Sequence, residues 1–221
     1  MESLEAELAR ARELSVADLA DAIESIGFEC TRCGACCKGH GDGDDREDHT
    51  ATVFPDEVRE LQAATEYDWR DVARPMPYGL HDGDAGPEGE TFEWALQTDA
   101  CGDCTFYEES DGTGACTVHD DRPLICRTYP FSVALGGTAQ PMGEAVDREG
   151  MVRAHECEGL GRDISRADAE ELAAALKERA VRELEEAIAV RDGYDPVDPD
   201  PGEVVVHDSE GAKRPDGRRY R

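Results

Sequence analysis

The chain has 221 residues, with 52 Asp and Glu against 23 Lys and Arg, a formal net charge of −29, and nine cysteines. A polyanion of this density repels phosphate backbones and anionic headgroups, which argues against nucleic-acid and membrane-surface partners. No stretch approaches the ~20 apolar residues of a membrane span, and the opening MESLEAELARARE carries no apolar signal core, so a soluble, cytoplasmic protein is expected.

Leu, Ile, Val and Phe together supply 37 of 221 residues, below the roughly 20% that, combined with high charge, ordinarily accompanies disorder. Salt is one way to offset this, because at about 1 M ionic strength the Debye length falls to roughly 3 Å and crowded carboxylates hardly feel one another. The basic residues are 20 Arg and only 3 Lys, and this skew with the acidity resembles proteins of halophilic archaea. A metal is the other way, since structural zinc supplies about 10 to 16 kcal/mol of apparent binding energy, comparable to a domain's whole stability of about 5 to 15 kcal/mol.

Residues 2–26 read as two helices, a first with Leu4, Leu8 and Leu14 on one stripe, and a second restarted by Ser15 and Asp18 with Val16, Leu19, Ile23 and Ile26 inward. The pattern dissolves into FECTRCGACC from Phe28 and then into the loop GHGDGDDREDH. Pro55 opens a helix to about Thr65 with Val58 and Leu61 inward. Residues 74–90, rich in Gly, Pro and Asp, read as a loop, and TFEWAL at 91–96 alternates like a strand. Gly136-Gly137, between FSVAL and TAQPM, signals a hairpin. Ser165 with Asp168 starts an amphipathic helix carrying Leu172, Leu176, Leu184 and Ile188 to about Val190. Residues 193–221 read as a mostly disordered tail with one possible lone strand at 204–207 and a basic end, KRPDGRRYR.

Cys30, Cys33, Cys36 and Cys37 form a C-x2-C-x2-C-C run, with Cys101, Cys104, Cys116, Cys126 and Cys157 at wider intervals. Disulfides are disfavoured by the missing export signal, the odd count and the strained ring that adjacent Cys36 and Cys37 would form. A redox or catalytic thiol is disfavoured because neither C-x-x-C sits in a strand-helix-strand frame. Metal ligation explains the spacing, because two intervening residues let both sulfurs and the backbone amides wrap one ion or cluster. Cys30, Cys33 and Cys36 reproduce the three-ligand run of bacterial ferredoxins, where a distant fourth thiolate completes a [4Fe-4S] cluster. Zinc fits equally, for example with Cys30, Cys33, Cys104 and Cys116. In an extended segment Cys36 and Cys37 point to opposite sides, which suits two centres sharing eight thiolates.

CTRCGACC at 30–37, CTFYEESDGTGACTVHDDRPLICRTYPF at 104–131 and CEGLGRD from Cys157 resemble the YkgJ-like cysteine-cluster family of zinc- or iron-chelating proteins over roughly residues 28–162. The resemblance implies metal chelation by Cys30, Cys33, Cys36, Cys37, Cys104, Cys116, Cys126 and Cys157, and leaves Cys101 outside the pattern. His119 stands where the family has Tyr, which makes it a candidate auxiliary ligand. Some relatives carry the module in proteins linked to flagellin lysine methylation, yet no glycine-rich nucleotide or methyl-donor loop is present here.

Around the cysteines, Arg32, Arg122 and Arg127 are candidate counterions for thiolates. Pro123 and Pro130 stiffen the loop presenting Cys126, and Tyr129 and Phe131 read as core packing. Asp42, Asp44, Asp45, Glu47 and Asp48 lack the register of an EF-hand and read as a solvated face. His155, two residues before Cys157, reads as structural, with an outer-shell hydrogen-bond donor or a zinc ligand as the alternatives.

The expected fold is a small, irregular α+β domain nucleated by metal, with short strands, framed by N- and C-terminal helices. Its parts are an N-terminal helical segment (1–27), the cysteine-cluster domain (28–162), an amphipathic helix (163–192) and the tail (193–221). The expected function is chelation of iron, as an iron-sulfur cluster, or of zinc, with no catalytic residue assigned. The alternatives are a zinc-stapled module whose helix at 166–190 docks an unknown protein partner, and an accessory or catalytic subunit of a protein-modifying enzyme.

Overall fold

A computed structural model describes residues 3–41, 43, 46–84, 86–135, 145–147 and 150–220. In chain order these form helices α1 (Leu4–Glu13), α2 (Val16–Ile26), α3 (Pro55–Thr65), α4 (Trp69–Val72), α5 (Leu124–Thr128) and α6 (Arg166–Gly193). The strands are β1 (Thr52–Val53), β2 (Ala73–Pro75), β3 (Leu80–Gly83), β4 (Gly86–Thr91), β5 (Trp94–Leu96), β6 (Tyr107–Ser110), β7 (Thr113–Cys116), β8 (Phe131–Val133), β9 (Ala145–Asp147), β10 (Val152–His155), β11 (Val204–Asp208) and β12 (Gly211–Lys213). The class is α+β with short strands and terminal-region helices, as the sequence indicates. The Gly136-Gly137 hairpin, and Asp42, Asp44 and Asp45 of the acidic loop, lie outside the described residues.

The chain divides into two compact units. The first comprises Met1–Cys36, Ser110–Gly114 and Leu124–Glu185. Its helices begin where local capping chemistry dictates. Ser3 caps α1, and Ser15 accepts a hydrogen bond from the Asp18 amide at 3.3 Å, breaking the N-terminal segment into two helices. Helix α2 buries Leu19, Ala20 and Ile23 and packs on β10, the central strand of an antiparallel β8-β10-β9 sheet. Helix α6 starts at the expected Ser165–Asp168 box and buries Ala169, Ala173, Leu176, Ala180 and Leu184. Leu172 and Ile188 are only half-buried, so alanines share the inward stripe with leucines. Arg179, 1% exposed, donates to Glu183 at 2.6 Å and to the Thr128 hydroxyl at 3.1 Å, tying α6 to the end of α5.

The second unit comprises Cys37–Glu109, Ala115–Pro123 and Glu186–Arg221. Pro55 opens α3, which buries Val58 and Leu61 as expected. Strand β5 lies between β1 and β2, and Trp94, Ala95 and Leu96 are all buried. TFEWAL is therefore not one alternating strand. Thr91 closes β4, Phe92 is exposed, and β5 is covered on both faces, a position that selects for continuous apolar residues.

Two further segments differ from the sequence expectation. Residues 74–90 are not a loop, since β3 and β4 pair antiparallel with Leu80 opposite Gly89. The strand in the tail is not alone, since β11 runs parallel to β4 (Val205 opposite Glu90) and antiparallel to β12 (Val206 opposite Lys213). Val205 and Val206 are fully buried, so this part of the tail is ordered by pairing that its Asp- and Pro-rich flanks conceal. Trp94 donates to Asp208 at 2.8 Å, and Asp208 pairs with Lys213 at 2.8 Å, both side chains buried.

An apolar interior exists in each unit, which corrects the expectation that metal replaces it. Leu19, Ile23, Phe131, Val152 and Leu176 form it in the first unit, and Val58, Leu61, Met76, Trp94 and Leu96 in the second. Among the described residues, no helix is long and apolar enough to cross a membrane.

Candidate metal centre

All nine cysteines are thiols rather than disulfides. In the first unit, Cys30, Cys33 and Cys36 lie on the segment that leaves α2. Gly27 ends that helix with φ +77°, and a Cβ there would meet the Arg162 carbonyl oxygen at 2.5 Å, so only glycine fits. Residues 27–29 then pair with 159–161: the Glu29 amide donates to the Gly159 carbonyl and the Gly161 amide to the Gly27 carbonyl, each at 3.0 Å. The Gly114 amide holds the Arg32 carbonyl at 2.7 Å, and Arg32 and Gly34 take φ of 57° and 78°, which curls the backbone around Cys33. Cys157 is delivered from the other direction, two residues beyond β10.

These four thiols share one electrostatic environment. Burial pushes the Cys157 thiol up, the Gly159 amide opposes this, and the nearby Cys33, Cys36 and Cys30 push it further up. The Gly159 amide donates to Cys157 Sγ at 3.4 Å, the kind of amide-to-sulfur bond that supports a thiolate ligand. Tyr129 borders the same group. Its phenol is pushed above its ordinary value by burial first, then by Cys157, Cys36 and Cys33.

A bound cation stabilises the thiolate form that burial opposes at Cys157, so the donor set suits a soft, thiolate-binding metal. Among the described residues, no three His, Cys, Asp or Glu side chains are gathered closely enough to hold an ion as they stand. Loading would draw the sulfurs inward, as in sites whose binding energy is also ordering energy.

The remaining cysteines divide between the units. Cys126 is half-buried on α5 in the first. Cys37, Cys101, Cys104 and Cys116 fall in the second. There the Cys104 amide donates to the Cys37 carbonyl at 2.8 Å, and the Thr117 amide donates to Phe106 at 2.9 Å, returning the chain after Cys116 to a point two residues past Cys104. Cys101 is exposed, with its amide held by Asp99 and its carbonyl by Arg46, both at 2.8 Å. Cys36 and Cys37 sit in a 3-10 turn, Ala35–Cys37, not in extended chain. At three residues per turn, their side chains still diverge by about 120°.

Of the flanking residues, His155 and Phe131 are placed as the sequence suggests, and Arg122 and Tyr129 are not. Arg122 donates to the His119 carbonyl at 2.9 Å and stands 3.3 Å from its Nε2, so this guanidinium serves His119 rather than sulfur. The group facing His119 Nε2 is therefore the Arg122 guanidinium. His155 is buried with Nε2 2.8 Å from the Ser132 hydroxyl across the β8–β10 pair. Phe131 is core, meeting Phe28 edge-on at 5.7 Å, but Tyr129 is half-buried beside the thiols. Its position opposite Glu156 comes from β8–β10 register, which sequence spacing does not reveal.

A family model described as a putative zinc- or iron-chelating domain, CxxCxxCC, matches residues 29–158. This is more than half of the chain, and the chain belongs to that family. The matched span takes in all nine cysteines, and metal binding through clustered cysteines is the function it supports. No curated protein and no solved structure matches the chain.

Proposed function

We propose, taking membership of the zinc- or iron-chelating CxxCxxCC family as the premise, that the chain holds iron as a [4Fe-4S] cluster on Cys30, Cys33, Cys36 and Cys157. The observation that carries this is the backbone pairing of 27–29 with 159–161, which brings Cys157 beside a cysteine run more than 120 residues earlier. A C-x2-C-x2-C run completed by a remote cysteine is the ligand pattern of such clusters. Cys37, Cys104, Cys116 and Cys126 are the further ligands that the family motif supplies; the first three lie in the second unit and Cys126 in the first. When bound, the metal supplies charge neutralisation to the thiolates; the chain supplies the amide donor at Gly159 and the paired backbone at 27–29 and 159–161.

The protein works in a reducing cytoplasm, where exposed thiols such as Cys30 and Cys36 persist. The −29 charge suits a salt-rich one. The test is anaerobic purification in concentrated salt, followed by elemental analysis and a visible spectrum. Iron with acid-labile sulfide and a broad charge-transfer absorption is the expected result. Zinc without colour replaces the cluster by a tetrathiolate ion on the same residues. Unchanged metal content after serine replacement of all four cysteines overturns the site.

A further inference from the structure

Cys157 is the ligand that must be brought from afar, and two backbone clamps hold it. On its C-terminal side Gly159 pairs with Glu29. On its N-terminal side the β8–β10 ladder, with Ala154 opposite Phe131, continues through the His155 amide donating to Pro130 at 2.9 Å. At the next position, where a backbone rung would follow, the Tyr129 hydroxyl donates to the Glu156 carbonyl. That side-chain bond anchors the residue immediately before Cys157, and the half-buried ring beneath it neighbours Cys33 and Cys36.

We propose that Tyr129 is a positioning residue for this metal centre: its hydroxyl fixes the Glu156 carbonyl and so sets the reach of Cys157, while its ring limits the access of water to Cys157, which is half-buried. The inference rests on the reading of Cys30, Cys33, Cys36 and Cys157 as ligands. Its own content is that metal retention depends on a residue with no sulfur. A hydroxyl-to-carbonyl bond of ordinary strength changes an equilibrium roughly five-fold when lost. Removing the ring as well opens Cys157 to water, where exchange with solvent and chelator begins.

The probe is Co(II), whose thiolate charge-transfer intensity reports the number of bound sulfurs, added anaerobically to the reduced full-length chain and then challenged with EDTA. Tyr129→Phe is expected to keep the four-thiolate intensity and release Co(II) about five-fold faster. Tyr129→Ala is expected to release it at least about ten-fold faster than Tyr129→Phe. Cys157→Ser marks the three-thiolate intensity. Tyr67→Phe, an exposed tyrosine of the other unit, is expected to leave release unchanged.

Wild-type release rates in both Tyr129 variants overturn the inference while leaving the ligand set standing. So does an apo protein destabilised by Tyr129→Phe with no change in release, which would make Tyr129 a packing residue. Failure of the wild type to bind Co(II), or equal intensity in Cys157→Ser, overturns the ligand reading and this inference with it.

Discussion

His49 offers a titration whose sign and size follow from its surroundings. It is 7% exposed, its amide donates to the Gly102 carbonyl at 2.8 Å, and its carbonyl accepts from Arg74 at 2.9 Å. Burial pushes its imidazole down from 6.5 to about 4, with His40 and the Arg74 guanidinium adding repulsion against a weaker opposing pull from Asp103. As pH falls through 6.5 the unfolded chain takes up the proton first, so stability drains away until the folded pKa near 4 is passed, and is flat below it. Linkage between those two values gives a loss of about 2.4 kcal/mol on going from about pH 7 to about pH 4.5. Against a typical stability of about 5 to 15 kcal/mol this is large.

Many of the 52 carboxylates titrate in the same window, so the raw pH dependence is not diagnostic. The comparison is between wild type and His49→Gln, which keeps size and polarity and removes the proton site. Urea denaturation of both, at the two pH values and in fixed concentrated salt, cancels the carboxylates. The wild type is expected to lose about 2.4 kcal/mol more than the variant. Parallel losses, within about 0.5 kcal/mol of each other, would refute the burial argument.

Further outcomes follow from the same geometry. Cys33→Ser is expected to lose metal by elemental analysis, whereas Cys101→Ser, exposed and outside the family pattern, retains the wild-type content. Gly159→Ala places a Cβ against the Glu29 carbonyl oxygen, and is expected to lower the thermal midpoint by several degrees, about 2 kcal/mol, and to weaken metal retention through Cys157. Raising KCl from about 0.1 M to about 2 M is expected to raise the thermal midpoint by about 10 °C, as screening relieves the net charge. A flat or falling midpoint would remove the case for salt adaptation.

Which parts of the molecule were readable from sequence depends on the range of the interaction that fixes them. The break at Ser15, the start at Pro55 and the start after Ser165 are set by side chains bonding amides three residues away, and all three are where the sequence puts them. Strands β3 and β4 were not readable. Gly, Pro and Asp have poor strand propensity, and β4 is held by β11, a partner more than 110 residues later whose own flanks look unfolded. The site shows the same division. The motifs name eight cysteines, but they do not say that Cys157 joins Cys30, Cys33 and Cys36, because that grouping comes from the 27–29 and 159–161 pairing. Nor do they reveal Tyr129, whose role depends on ladder register.

The shortage of large apolar residues has a different resolution from the one composition suggests. Alanine fills much of the buried face of α6, as at Ala169, Ala173 and Ala180, and long basic side chains fill volume elsewhere. Arg179 is 1% exposed and Lys213 3% exposed, each with its head group on a carboxylate: Glu183 for Arg179, and Asp208 and Glu210 for Lys213. Their methylene stems serve as core, and the paired heads avoid the cost of an isolated buried charge. Both units therefore own an interior that does not depend on sulfur. With the proposed ligands Cys30, Cys33, Cys36 and Cys157, metal binding energy would act on the segments that carry the thiols, 30–37 and 157–161, rather than on the whole chain. Loss of metal in Cys33→Ser should accordingly raise amide exchange in those segments while leaving protection in α2, α6 and β10 at wild-type levels, and exchange rising together across all of them would show that the ion and the core are one cooperative structure.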